Sequence, residues 1–256
     1  MKNVIILGSG RSGTSMVAGT LAKAGYFMGE HLLPANNANP KGFFEDIEVN
    51  SINEDILANV APRRPKIFGN VLFRHIPLPY QRWLLALPLS KSPLASQAIE
   101  KRITTLLKNK PFCLKDPRFS YTLPCWIPFL ENAVFIVVFR EPMTTAKSIN
   151  KECQDDSQLH SLAMSEERAM KVWECMYKHI LKMSENDCQD WLFLHYDQIL
   201  TGNGGDLIAR HTGANIDLSF PEKRLKRSNS TDSPPPSALG IYQKLCTKAG
   251  FDSTVN

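Results

Sequence analysis

The segment Gly8-Ser9-Gly10-Arg11-Ser12-Gly13-Thr14-Ser15 is where residue types and spacing first point to chemistry. It follows the β-branched run Val4-Ile5-Ile6-Leu7 and precedes the small apolar residues of 14–24. A strand, a glycine-rich loop and a helix are therefore predicted in that order. Glycines let the backbone curl so that successive N–H groups face one anion, and the positive end of the helix adds to the attraction. The spacing is that of a phosphate-binding loop, G-x-x-x-x-G-K-[S/T], except that Thr14 stands where lysine would be. In nucleoside triphosphatases that lysine reaches the β- and γ-phosphates, and magnesium bridges them. A ligand with only a 5′-phosphate at this point needs neither.

A second cluster follows the strongest predicted strand, Ala133–Phe139 (AVFIVVF). Arg140 stands at its carboxyl end, and Ser148 lies eight residues on, in the helix predicted from Met143. Ligands of open parallel sheets sit beyond the carboxyl ends of the strands. A guanidinium there offers a forked donor for a second phosphate, and a nearby serine can share it. Read alone, Arg140 serves equally well as a structural ion-pair residue; the loop at Gly8 favours the phosphate.

The elements that must hold these residues alternate along the chain. Strands are predicted at Val4–Leu7, Phe112–Leu114, Ala133–Phe139 and Trp191–His195. Helices are predicted over Thr14–Ala24, Glu45–Val60, Ser92–Lys108 (Ser92 as cap, Pro93 first), Ser120–Leu130, Ser165–Asn186, from His195 to about His211, and over Leu239–Lys248. Residues 61–92 read as loops with a short helix at Gln81–Leu87, and Ser228–Ser237 as a polar, proline-rich surface loop. This alternation predicts an α/β fold: a three-layer parallel sheet flanked by helices, of the phosphate-loop nucleotide-binding type. At 256 residues the chain suits one domain, with a largely helical insertion around 26–110.

The motifs together resemble the sulfotransferase superfamily. The resemblance rests on GSGRSGTS after the first strand and on R-x-P-x-x-x-x-x-S from Arg140 to Ser148. It extends weakly to N-P-x-G-[FYW]-[FW]-E at Asn39–Glu45, K-D-P-R at Lys115–Arg118 and H-Y-D at His195–Asp197. It implies 3′-phosphoadenosine 5′-phosphosulfate (PAPS) as co-substrate, with no metal required. Ser9, Gly10, Arg11, Ser12, Gly13, Thr14 and Ser15 would hold the 5′-phosphosulfate end; Arg140 and Ser148 would hold the 3′-phosphate. Arg227, in Lys226-Arg227-Ser228, stands where many members return a basic segment to that phosphate. Arg11 matches the arginine of P-R-S-G-T-T loops in protein-tyrosine sulfotransferases, with Gly10 replacing the proline.

Sulfuryl transfer spreads negative charge over equatorial oxygens and the leaving phosphate, so positioned cations matter most. Arg11 and Lys115, both at carboxyl ends of predicted strands, are the candidates. Glu45 is the preferred general base; its other reading is an acid in the first turn of a helix, favoured by the dipole. Asp116 is the second choice, since the small-molecule members carry a histidine shortly after the lysine where this chain has Pro117 and Arg118. The acceptor is expected to be a hydroxyl on a carbohydrate or glycolipid, by analogy. Phe43, Phe44, Phe68, Phe73, Tyr80 and Trp83 in the insertion either line its pocket or form helical core.

Other features bound the reading. A net charge of +5 fits an anionic ligand, and no basic block interleaved with aromatics marks a nucleic-acid binder. The six cysteines form no C-x-x-C pair, so reduced thiols are expected. No apolar run reaches about 18 residues and no leader-like segment opens the chain, so a cytoplasmic protein without a membrane span is expected. His75 reads as incidental, Arg63 and Arg64 as surface charge, and Trp173 and Tyr177, four apart, as core. Two other functions compete. A small-molecule kinase or NTPase is disfavoured by Thr14 and by Arg140 in place of an acidic magnesium ligand. A non-catalytic nucleotide-binding relative is countered by the intact Arg11, Lys115 and Glu45.

Overall fold

The computed structural model describes residues 1–36, 39–185, 189–201, 203–217, 219–221, 230 and 232–252. Its strands are β1 (Asn3–Leu7), β2 (Cys113–Lys115), β3 (Ala133–Phe139) and β4 (Asp190–His195). They form one parallel sheet in the order β2-β1-β3-β4. Every residue of β1, β2 and β3 is buried, which is why these segments read as continuous apolar runs rather than alternating ones.

The helices are α1 (Thr14–Lys23), α2 (Ile47–Ala58), α3 (Gly69–Leu72), α4 (Gln97–Leu106), α5 (Phe119–Trp126), α6 (Pro142–Asp155), α7 (Glu166–Glu185), α8 (Tyr196–Thr201), α9 (Asn203–Thr212) and α10 (Pro236–Ala249). They cover both faces of the sheet unequally. Ile5, Leu7, Phe135, Val137 and Phe139 join one apolar cluster with residues of α2, α4, α5, α6, α7 and α10. The alternate residues Val4, Ile6, Val134, Ile136 and Val138 join a second with residues of α1, α8 and α9. The period of two along each strand assigns its side chains to opposite layers. This is the predicted α/β architecture, a parallel sheet with helices on both faces. None of the described helices is long and apolar enough to cross a membrane.

Several boundaries differ from the sequence expectation. Helix α4 starts at Gln97 rather than near Ser92, because Ser96 Oγ, not Ser92, accepts from the Ile99 N–H at 3.4 Å. That cap sits one turn before the buried pair Ile99 and Ile103. The helix expected over 120–130 stops at Trp126 and gives way to a 3₁₀ turn at Ile127–Phe129, containing Pro128, whose missing N–H cannot continue the α ladder. The helix expected after His195 is two, α8 and α9. Of the expected surface loop at 228–237, residues 228, 229 and 231 lie outside the described residues, and α10 begins at Pro236.

Candidate active site

Strand β1 has β2 on one side and β3 on the other, so the connections from β1 and β3 leave the sheet in opposite directions. Such a switch point opens a crevice at the carboxyl ends of the two strands. Leu7, the last residue of β1, delivers the glycine loop there, and Phe139, the last of β3, delivers Arg140.

The loop is bent by its backbone. Gly8 has φ 135°, and a Cβ there would meet Val138 O at 2.2 Å. Arg11 itself adopts a left-handed conformation, φ 68°, which a non-glycine residue adopts at some cost. Gly13 (φ 96°) is the N-cap of α1 and contributes no side-chain cap, and no acid lies in the first turn. The positive end of α1 is therefore left for an external anion. The loop is also clamped from a distance. The buried Tyr177 hydroxyl on α7 donates to Val138 O at 2.7 Å, accepts from the Ser9 N–H at 3.2 Å and lies 3.0 Å from Ser12 Oγ. Burial raises the pKa of this phenol, keeping it a neutral donor. Ser9 and Ser12 are fully buried; Ser9 Oγ donates to Gly10 O at 3.1 Å, and the Ser12 N–H to Ser9 O at 3.3 Å. Their polar groups shape the loop from within. Thr14 is buried, while Ser15 Oγ donates to Phe43 O at 3.3 Å and accepts from Asn39 Nδ2 at 2.9 Å. The loop and the N-P-K-G-F-F-E segment thus meet directly.

Arg140 is nearly buried, with its guanidinium 4.4 Å from the centroid of the Tyr196 ring. Burial lowers its pKa, opposed by Tyr196, Asp197 and Glu141. Tyr196 also reaches the loop: a Cβ on Gly13 would stand 2.5 Å from its Cδ2. One aromatic ring at the start of α8 therefore touches both predicted phosphate sites. On α6, Ser148 Oγ accepts from Arg11 Nε at 3.2 Å. One turn later, Glu152 Oε2 lies 3.4 Å from the same Nε, an ion pair without hydrogen-bond alignment. Burial raises the Glu152 pKa and Arg11 lowers it; Glu45 and Lys115 are close enough to contribute smaller, opposite effects.

Lys115 ends β2 and pairs with Glu45 Oε1, with both side chains nearly buried. Glu45 Oε2 accepts from Asn50 Nδ2 at 3.0 Å. Glu45 is not in the first turn of α2, because Asp46 is the N-cap, accepting from the Glu48 and Val49 N–H groups. A helix-dipole acid is thus Glu48 rather than Glu45. Asp116 is engaged differently: it is fully buried, accepting from Asn53 Nδ2 at 2.9 Å and pairing with Arg118 Nη1 at 3.0 Å. Burial raises its pKa against the pull of Arg118. Arg118 continues to Glu54 (2.7 Å) and to Tyr80 O (3.0 Å), and Glu54 to Arg82 (2.6 Å). The K-D-P-R motif thus divides: its lysine faces Glu45, while its aspartate and arginine lash the insertion to the sheet.

Trp83 of the insertion rests on the loop, its Cζ3 2.6 Å from where a Cβ on Gly10 would be. Glycine replaces the proline of similar loops at the position where this ring needs the space. Trp173 and Tyr177 are both fully buried, as core residues are, yet Tyr177 also holds the loop. Sequence reasoning missed Tyr177, Tyr196 and Glu152. The H-Y-D motif was a signal for Tyr196; nothing local marks Tyr177 or Glu152. Arg227, with Lys226 and Ser228, lies outside the described residues. Among those residues no group of three or more His, Cys, Asp or Glu is arranged to hold a metal ion.

A profile of the Sulfotransferase family matches residues 3–207. The sulfotransferase domain from the curacin biosynthetic pathway aligns over 98% of this chain and 98% of its own, with TM-score 0.51 and 14% identity. The sulfotransferase domain of the Synechococcus PCC 7002 olefin synthase aligns over 100% and 91%, with TM-score 0.46 and 16% identity. A sulfotransferase from Mycobacterium avium aligns over 96% and 68%, with TM-score 0.45 and 16% identity. At such identities the likeness speaks for the fold alone. A search of curated proteins returned no significant match. With the family profile running from β1 into α9, across the glycine loop, Lys115, Arg140 and Tyr196, the chain belongs to the sulfotransferase family.

Proposed function

We propose that the chain transfers a sulfuryl group from PAPS to a hydroxyl of a carbohydrate or glycolipid acceptor. The observation that carries this is the meeting of two cationic anion sites on one ring: the uncapped start of α1 at Gly13 and the Arg140 guanidinium both abut Tyr196. The donor set fits a nucleotide with two separate phosphates. The loop amides and the start of α1 suit the 5′ end, and Arg140 suits the 3′-phosphate. When bound, PAPS supplies the sulfuryl group and leaves as adenosine 3′,5′-bisphosphate.

The chain's own residues do the rest. Arg11, held by its left-handed backbone and by Ser148, presents its guanidinium to the charge that develops on the sulfuryl oxygens. Lys115 exchanges Glu45 for the leaving phosphate as negative charge grows there. Glu45, so released, takes the acceptor hydroxyl proton. In this reading Asp116 takes no proton: it is fully buried, and Asn53 and Arg118 hold its carboxylate against the insertion. The insertion around 26–110 forms the acceptor side of a single domain over 1–256, with Trp83 against the loop as its inner wall.

Calorimetric binding of adenosine 3′,5′-bisphosphate, with and without magnesium and against ATP, tests the reading. Tight, magnesium-independent binding of the bisphosphate with little response to ATP is expected. Preferential, magnesium-dependent ATP binding would instead mark a kinase or NTPase.

A further inference from the structure

Between Asp55 and Glu100 the chain carries no Asp or Glu, yet it holds Arg63, Arg64, Lys66, Arg74, Arg82 and Lys91. Within this stretch, on and beside the short helix α3, four apolar side chains stand in solvent: Ile67 is 73% exposed, Phe68 67%, Val71 69% and Leu72 68%. Single exposed apolar residues are ordinary, but four within six positions are not. Phe68 also has φ 59°, a left-handed conformation that a bulky residue holds only when something outside the backbone repays it. Burial does not repay it here.

The segment is nonetheless built rather than loose. Arg64 Nε donates to Ile76 O at 2.7 Å, while its other nitrogens donate to Asn70 Oδ1, Arg74 O and Ser161 O at 3.2, 3.3 and 3.1 Å. The buried Gly69 packs on the Arg64 stem, where a Cβ would meet Arg64 Cβ at 3.1 Å. Arg64 thus clamps the base of a projection whose tip is apolar and whose flanks carry the exposed Arg63 and Lys66, while Arg74 donates to Ser161 O at 3.4 Å and to His160 O and helps to hold that base.

We propose that this projection docks the protein on an anionic lipid bilayer, with Ile67, Phe68, Val71 and Leu72 entering the headgroup–acyl boundary and Arg63 and Lys66 meeting the headgroup phosphates. Charge decides between occupants. An apolar tip flanked by cations, with acids excluded from the whole stretch, combines the two attractions of an interfacial anchor. The chain then lies on a membrane without spanning it. Docking itself is independent of the sulfotransfer reading; only its consequence, a glycolipid hydroxyl brought beside Trp83, rests on that reading.

The test is sedimentation of the full chain with vesicles of phosphatidylcholine alone and of an equimolar mixture with phosphatidylglycerol. Binding to the mixed vesicles and little to the neutral ones is expected. Arg63→Glu with Lys66→Glu should weaken it by about fivefold or more per residue. Phe68→Asp with Leu72→Asp should weaken it at least as much. Aspartate tolerates the left-handed backbone at 68, so this variant should keep the wild-type melting temperature and bisphosphate affinity. Equal binding to both vesicle types, no binding, or unchanged binding by either variant would overturn the proposal. So would a concentration-dependent dimer abolished by Phe68→Asp/Leu72→Asp, which would make the projection an interface between copies. Failed bisphosphate binding by the wild type would sink the proposed function and leave the vesicle result standing.

Discussion

Replacing Glu45 by Gln separates a proton acceptor from a mere partner of Lys115. The Glu45 carboxylate accepts from two donors, Lys115 on Oε1 and Asn50 Nδ2 on Oε2. A glutamine amide has one acceptor oxygen and must turn its NH₂ toward one of those donors. Asn50 can resolve the conflict, because its Oδ1 is buried with no hydrogen-bond partner among the described residues. Rotating the Asn50 amide brings that oxygen to the new glutamine NH₂ and leaves Lys115 with the glutamine carbonyl. The structural loss then reduces to the missing charge beside a buried lysine. That is about 1–3 kcal/mol, short of the 3–5 kcal/mol expected when a buried pair is broken outright. Loss of a general base should lower kcat by about 10²–10⁴-fold. The assay measures sulfated product under saturating acceptor, beside bisphosphate affinity by calorimetry and stability by denaturant melts. Asn50→Ala is the control: it removes the second donor and spares the pair, so kcat should hold within about threefold while stability falls by about 1 kcal/mol. Turnover by Glu45→Gln within threefold of wild type would refute the base assignment. Equal losses in kcat and bisphosphate affinity would make Glu45 a positioner of Lys115 instead.

Three further outcomes are expected. Arg140→Ala should weaken adenosine 3′,5′-bisphosphate by about a hundredfold, the worth of a charge-assisted forked contact, and adenosine 5′-phosphate only slightly; calorimetry that finds equal losses removes Arg140 from the 3′-phosphate. Gly10→Ala places a methyl against the Trp83 ring at 2.6 Å with no left-handed backbone to strain, so overpacking should cost about 1–3 kcal/mol. In a Trp83→Leu background that cost should largely vanish, and denaturant melts that find additive effects would place the ring elsewhere. Glu152 has a folded pKa raised above its ordinary 4.5, chiefly by burial. The folded state then holds the proton longer than the unfolded chain. Its contribution to stability is fully present below pH 4.5 and is lost as pH rises through the raised value. Glu152→Gln should flatten the fall of melting temperature above pH 4.5, and an unchanged slope would assign that fall to other groups.

What the sequence revealed and what it hid divide along a physical line. The glycine loop was legible because backbone conformation is a local property, and Gly8 and Gly13 announce turns that only their neighbours must satisfy. Arg140 was legible because a continuous apolar run marks a buried strand and its end marks the crevice. Tyr177 was hidden, since it reaches Ser9 across 168 positions and resembles any other buried aromatic of an amphipathic helix. Glu152 was hidden for the same reason: an acid near the end of α6 gains meaning only when Arg11 of another element faces it. Asp116 shows the converse. Its place beside Lys115 did not announce its partners: successive residues leaving a strand point to different sides, and Asn53 and Arg118 hold its carboxylate. The helix cap at Ser96 rather than Ser92 was a choice among nearby serines that only the register of Ile99 and Ile103 settles.

The ring of Tyr196 bears on how the chain can diverge. Because it occupies the space beside Gly13 and underlies the Arg140 guanidinium, three positions scattered across the sequence are bound into one unit of inheritance. A smaller residue at 196 would open room at 13 that the left-handed backbone there still denies to most side chains, and would take away the ring against which the arginine stacks. Drift at the aromatic position therefore loosens both ends of the proposed nucleotide site together. Among relatives, loss of the ring should coincide with loss of Arg140, and glycine at 13 alone should be no guarantee of a second phosphate.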